Sequence, residues 1–149
     1  MCVLAYQSTP LHNEMMYVYS NISQANFVSP VQVRKIWVLG GGDANKEQHP
    51  SELKLYVNKE GIDFTGINDH TPTQVFHIPA DSDGLELTTL VHAFSNVTTL
   101  HFFFSQNHGA DSTAIQYIGM QGMYECVDEV KLVASYMAHT VYPYCTFCA

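Results

Sequence analysis

Residues 93–119, AFSNVTTLHFFFSQNHGADSTAIQYIG, decide the fold class. The densest apolar run lies here: Leu100, Phe102 and Phe104 share one parity, while Thr99, His101, Phe103 and Ser105 share the other. Strand side chains point alternately to opposite faces, so the even set is expected to face a core. His101, on the opposite parity, is expected as a partly exposed or hydrogen-bonded face residue. Gln106 to Asp111 carries turn chemistry. Asn107 and Gly109 tolerate a left-handed backbone, and Asp111 can bond its own downstream amides. Thr113, Ile115 and Tyr117 then resume the period of two, and Ile118 and Gly119 begin the exit. The pattern predicts a strand, a loop of about six residues and an antiparallel return, the central hairpin of a β domain.

The flanking sequence repeats this texture. Val31 to Leu39 (VQVRKIWVL) reads as a strand whose apolar parity switches from Val31 and Val33 to Ile36 and Val38. Such a switch predicts a β-bulge at Arg34-Lys35 or burial on both faces. Ser51 to Asn58 places Leu53, Leu55 and Val57 on one face and Glu52, Lys54 and Tyr56 on the other. Gln74 to Ile78, Leu85 to Ala93, Met15 to Ser20 and Val127 to Ser135 read as further strands, and Asn21 to Asn26 reads as a turn. Phe64 is expected to anchor the loop after Gly61. No window keeps a capped helical stripe. Many short strands separated by Gly, Pro and Asn predict an all-β domain, an antiparallel β-sandwich or jelly roll.

The bulk numbers bound the function. A chain of 149 residues is expected to form one domain. Six Lys and Arg against fourteen Asp and Glu give a formal charge of −8. With no basic cluster, the chain is not expected to bind nucleic acid. No stretch approaches the roughly 18 consecutive apolar residues of a membrane helix, so no membrane partner is expected. The N-terminus lacks the basic region of a signal peptide. Cys2, Cys126, Cys145 and Cys148 form a poor stapling framework, so reduced thiols in the cytosol or nucleus are expected.

No constellation carries a reaction. Gly40-Gly41-Gly42-Asp43 is read as a turn, because a phosphate loop needs a following helix and Pro50 interrupts the segment. Cys145-Thr146-Phe147-Cys148 has redox or zinc spacing. It lacks room for a helix, however, and His139 and Cys126 stand at no recognised zinc spacing. The eight histidines are scattered, with no zinc-hydrolase helix among them, and no Gly-x-Ser-x-Gly elbow occurs. Asp81 and Asp83 sit in a turn beside Gly84, where Asp is favoured for backbone reasons. No catalytic residue, metal ligand or cofactor is assigned.

The ordered motifs do resemble a known family. His49-Pro50-Ser51-Glu52-Leu53-Lys54-Leu55-Tyr56-Val57-Asn58, then Asp63-Phe64, then Pro72-Thr73-Gln74-Val75-Phe76 resemble the first half of the PITH domain. Phe94-Ser95-Asn96-Val97, Ser105-Gln106-Asn107, Gly109-Ala110-Asp111-Ser112-Thr113 and Tyr117-Ile118-Gly119 resemble its second half, in order. Without a thioredoxin domain, the chain is most similar to the stand-alone PITH type. The resemblance implies a galactose-binding-like jelly roll, no catalytic residues and association with the 26S proteasome regulatory particle. The rival class is a jelly roll that binds carbohydrate or another small ligand.

The resemblance spans roughly Val31 to Leu132. Residues 1–30 are expected as a divergent, truncated or alternatively spliced segment, 31–135 as the sandwich, and 136–149 as an irregular tail. A missing strand would leave an exposed edge. Asn107, His108 and Asp111 are the candidate partner contacts, because loops on a rigid sandwich commonly carry recognition. Turn chemistry alone explains the same residue types.

Overall fold

The computed structural model describes residues 2–8, 16–18, 22–40, 43–62, 66–81, 84–124, 134–135 and 140–141. The strands are β1 (Cys2–Ser8), β2 (Met16–Val18), β3 (Ile22–Gly40), β4 (Pro50–Val57) and β5 (Gln74–His77). They continue with β6 (Leu85–Thr88), β7 (Val97–Asn107), β8 (Thr113–Tyr124), β9 (Ala134–Ser135) and β10 (Thr140–Val141). Two short 3-10 turns, Asp43–Gln48 and Ile67–Asp69, interrupt them. The described chain is an antiparallel β-sandwich, as its alternating apolar pattern requires.

One strand builds both layers. The first half of β3 pairs with β7 from Ile22↔Phe103 to Asn26↔Thr99. Its second half pairs with β8 on one side and with β6 on the other. The register with β7 shifts between Asn26 and Val31, beside Pro30, where the strand passes from one leaf to the other. The first leaf therefore runs β3–β7–β4–β5, and the second runs β6–β3–β8 with β1 and β2 along the far side of β8. Consecutive strands β5, β6, β7 and β8 alternate between the leaves, the connectivity of a jelly roll.

This corrects the expected central hairpin. β7 and β8 do not pair with each other; β3 lies between them in the ladder. Residues 107–113 arch from one leaf to the other. Period-two patterning marks each strand but carries no information about its neighbour, because any buried strand face looks alike. The expected turn at Asn21–Asn26 is likewise strand from Ile22 onward. β1 adds a strand inside the segment expected to be divergent. The expected strand through Ala93 stops at Thr88.

The core lies between the leaves. Leu100, Phe102 and Phe104 are buried in it with Leu53 and Leu55, as their parity predicts. Burying one such Phe contributes about 1.5–3 kcal/mol. The pairing of β3 with β8 shifts between Val33 and Lys35, so the expected bulge falls at Arg34 and turns its side chain outward. Val31 and Val33 face the core before it, and Ile36 and Val38 after it. A second irregularity opposite Leu39-Gly40 does the same to β8: Ile115 is buried, but Ile118 and Met120 replace the expected Tyr117. β8 also runs through Gly119 instead of leaving there. At Gly122 a Cβ would sit 1.9 Å from the Gln32 carbonyl oxygen, so the two strands approach closely only because that position is glycine.

A smaller cluster covers the outer face of the first leaf, where Tyr56, Ile67 and Phe103 pack with Ile22 and Ile62. Asn58 closes the end of β4 with a left-handed φ of 51°. Its Oδ1 accepts from Thr98 N at 2.8 Å and Thr99 N at 3.1 Å, and its Nδ2 donates to Asn96 O at 2.7 Å.

The Phe64 anchor, Asp83, Gly41-Gly42, residues 127–133 of the expected last strand, and Cys126, His139, Cys145 and Cys148 lie outside the described residues. Beyond Gly40, the Gly-rich segment leads into the 3-10 turn Asp43–Gln48.

Candidate functional site

The three sequence candidates sit together at one end of the sandwich. There the Asp43–Gln48 turn, the start of β4, the segment after β5 and the 107–112 arch converge. His108 N donates to His49 O at 3.2 Å and Ala110 N to Glu47 O at 3.3 Å. Ser51 Oγ donates to Asn107 O at 3.1 Å, and Gln48 Nε2 to Ser112 Oγ at 3.3 Å. Buried His49 fills the space over Gly40, where a Cβ would meet its ring at 2.7 Å. Lys46 and Asp81 form an exposed ion pair at 2.5 Å, and the ammonium holds the Asp81 carboxyl below its ordinary range.

Within the arch, Asn107 is occupied by the fold itself. Its Nδ2 donates to Ala110 O at 2.8 Å and Ser112 O at 3.2 Å, and its Oδ1 accepts from Gly109 N at 3.1 Å. Gly109 takes the left-handed φ of 126°, whereas Asn107 stays in the strand region. The downstream bonding expected of Asp111 is therefore done by Asn107. Asp111 is exposed and, among the described residues, makes no hydrogen bond or ion pair. The His108 Nε2 lies 2.9 Å from Ile78 O, tying the arch to the end of β5. The structure thus gathers all three candidates and commits two of them to holding the end together.

The outer face of the first leaf carries the other polar groups. Glu52 Oε1 accepts from Ser105 Oγ at 2.5 Å and lies 3.3 Å from Lys54 Nζ. The Ser105 hydrogen bond, with help from Lys54, holds the Glu52 carboxyl below its ordinary range. His101 is not partly exposed as expected: it retains 3% of its surface because the Tyr56–Ile67 cluster roofs this face. Its ring hydrogen-bonds to the Tyr56 backbone, and its Nδ1 has no partner. Burial pushes its pKa down more than that bond raises it. Among the described residues, no group of three or more His, Cys, Asp or Glu side chains is placed to hold a metal ion. Nor is any helix there long and apolar enough to cross a membrane.

The opposite end of β7 shows what sequence reasoning missed. Between β6 and β7, Thr89 Oγ1 donates to Val33 O at 2.7 Å and Leu90 N donates to Gln74 Oε1 at 3.0 Å. Phe94 N closes back on Leu90 O at 3.1 Å, and Val33 N donates to Phe94 O at 3.0 Å. Leu90 and Val91 project from this held loop, 47% and 55% exposed. The available signal was negative: Thr89-Leu90-Val91-His92-Ala93 lacks Gly, Pro, Asn and Asp, so the segment reads as strand.

The sequence model of the PITH domain matches residues 22–138, most of the chain and all of the strands from β3 to β9. The chain belongs to the PITH domain family. The PITH match begins at Ile22, where β3 begins, earlier than the motifs alone had suggested. Over 97 residues the chain is 37% identical to PITH domain-containing protein 1 of Homo sapiens, covering 64% of this chain and 44% of that protein. Over 99 residues it is 30% identical to PITH domain-containing protein 1 of Dictyostelium discoideum, covering 66% of this chain and 48% of that protein. It is 35% identical over 99 residues to the Danio rerio protein of that name, 66% of this chain and 45% of the relative. The chain thus spans about half the length of these curated PITH relatives. Their names describe them as domain-containing proteins and not as enzymes.

Proposed function

We propose that this chain is a non-enzymatic protein-interaction module that associates with the regulatory particle of the 26S proteasome, in the cytoplasm and nucleus. The observation that carries this reading is the PITH family match over residues 22–138, which takes in both leaves of the sandwich. The polar side chains support it. Asn107, Ser51, Thr89 and Asn58 are each spent on backbone partners, as in a scaffold, and not gathered around a reacting centre. His108 and Asp111 stay exposed at the arch and offer one contact surface.

The test is binding of the purified full chain to purified proteasome regulatory particle, followed by surface plasmon resonance. A saturable association supports the reading. Binding to a glycan array with no association to the regulatory particle would overturn it in favour of a carbohydrate-binding jelly roll.

A further inference from the structure

A turn tip normally spends its residues on backbone geometry. Gly, Asn, Asp and Pro dominate because they supply the dihedrals and the local hydrogen bonds. The Thr89–Phe94 loop has none of these at its tip, yet it is held firmly. Its backbone closes on Leu90 O through Ala93 N and Phe94 N, and it is braced from outside by Val33 and Arg34 of β3 and the Gln74 side chain of β5. Gln74 Nε2 also donates to Thr88 O at 3.3 Å, so one side chain grips both flanks of the loop's first turn. What this bracing displays is apolar. Leu90 and Val91 are adjacent, and with Val75 they are the large hydrophobic residues most exposed among those described. Single exposed apolar residues are ordinary. A neighbouring pair on a braced tip is different, because the cost of ordering the loop has been met before any partner arrives.

The charge beside the loop is specific too. Arg34 is the only arginine of the chain. Its backbone carbonyl accepts from Thr89 N at 3.0 Å, placing it at the foot of the loop. The bulge in β3 turns its side chain into solvent, and bulges commonly re-aim a side chain in this way. Its Nε donates to Gln32 Oε1 at 3.1 Å, and among the described residues it has no ion pair. Lys35, Lys46 and Lys54, by contrast, are each paired with Glu86, Asp81 and Glu52. Local acidity is also quenched here, since Lys35 neutralises Glu86 at 2.8 Å. A guanidinium fits a carboxylate better than any other side chain does.

We infer that the Thr89–Phe94 loop is the docking tip of this domain, seating Leu90 and Val91 in an apolar pocket of the proteasome regulatory particle whose rim presents a carboxylate to Arg34. This rests on the proteasome reading above and names its surface. Apolar anchors entering a pocket, ringed by polar contacts, are the usual arrangement of a binding hot spot.

The experiment measures affinity of the full chain for purified regulatory particle by surface plasmon resonance, with the melting temperature of each variant recorded. Val91→Asp is expected to weaken binding at least tenfold with the melting temperature unchanged, and Arg34→Glu to weaken it severalfold. Glu47→Ala, an exposed side chain near the far end of β7, is expected to leave it unchanged. Should Val91→Asp lower the melting temperature, Leu90→Ser and Arg34→Gln decide: weakened binding by both supports the tip, and wild-type affinity in both overturns it. Wild-type binding that survives Val91→Asp in a folded protein overturns the docking tip and leaves the proteasome reading standing. No binding by the wild-type chain overturns the proteasome reading, and the tip's assigned partner with it.

Discussion

The two ends of β7 are closed with different side chains. At its C-terminal end the 107–112 arch is built from Asn, Gly, Asp and Ser, and one side chain, Asn107, satisfies the arch from within. At its N-terminal end the 89–94 loop contains no turn residue at its tip; it closes by backbone bonds to Leu90 O and is braced by Val33, Arg34 and Gln74, remote in sequence. The first end consumes its polar groups. The second frees its tip to display Leu90 and Val91. A loop that closes with its own side chains has little left to offer, while a loop closed by backbone bonds and braced by its neighbours can present side chains that no turn would select.

Four measurements would break or sharpen this contrast, the first with the largest effect. Asn107→Ala should cost about 2–3 kcal/mol, since it removes one acceptor and several donated bonds from a part-buried site. Urea unfolding would read this; a loss below about 0.5 kcal/mol, the range of an ordinary surface substitution, would show the arch is not self-closed. Next, Thr89→Val should cost about 1–1.5 kcal/mol by stripping the buried bond to Val33 O while keeping the shape. It should also raise amide exchange at Ala93 and Phe94, whose N–H groups close on Leu90 O.

Gln74→Ala, at a half-buried position whose bonds lie at the surface, should cost only about 0.5 kcal/mol and speed exchange of the Leu90 amide, leaving His108 and Ala110 unaffected. Equal acceleration at both ends would mean the ends are not independent.

The fourth effect vanishes at neutral pH. His101 lies on β7 between the two ends, and burial holds its folded pKa below the unfolded value of about 6.5. The unfolded chain therefore takes up this proton first on acidification. Its contribution is present above about pH 6.5 and is lost as pH falls from there toward the folded pKa. The urea midpoint of the wild type should drop between pH 7.5 and 5.5, and His101→Phe should flatten that drop; equal slopes would remove His101 as its source.

How much was legible follows from the same division. The bulge at Arg34, the core set Leu100, Phe102 and Phe104, and the sandwich class were readable, because each leaves a parity signature along a few consecutive residues. The gathering of Asn107, His108 and Asp111 was readable because they are near neighbours in sequence. The burial of His101 was not, since its roof is Tyr56 and Ile67 from another segment. The loop at Thr89–Phe94 was read as strand because it turns through backbone bonds to Leu90 O and is braced by Val33, Arg34 and Gln74, so it needs no turn-type side chain of its own.

By itself, then, the sequence determined that residues 93–119 hold two strands, which of their side chains face a core, and which family the chain belongs to. Only the tertiary structure decided that those strands part company, with β3 between them, and that the loop before them carries an apolar tip. The physical reason is that alternation is a property of one strand with its own two faces. Pairing and bracing are properties of two segments, and their partners lie dozens of residues apart.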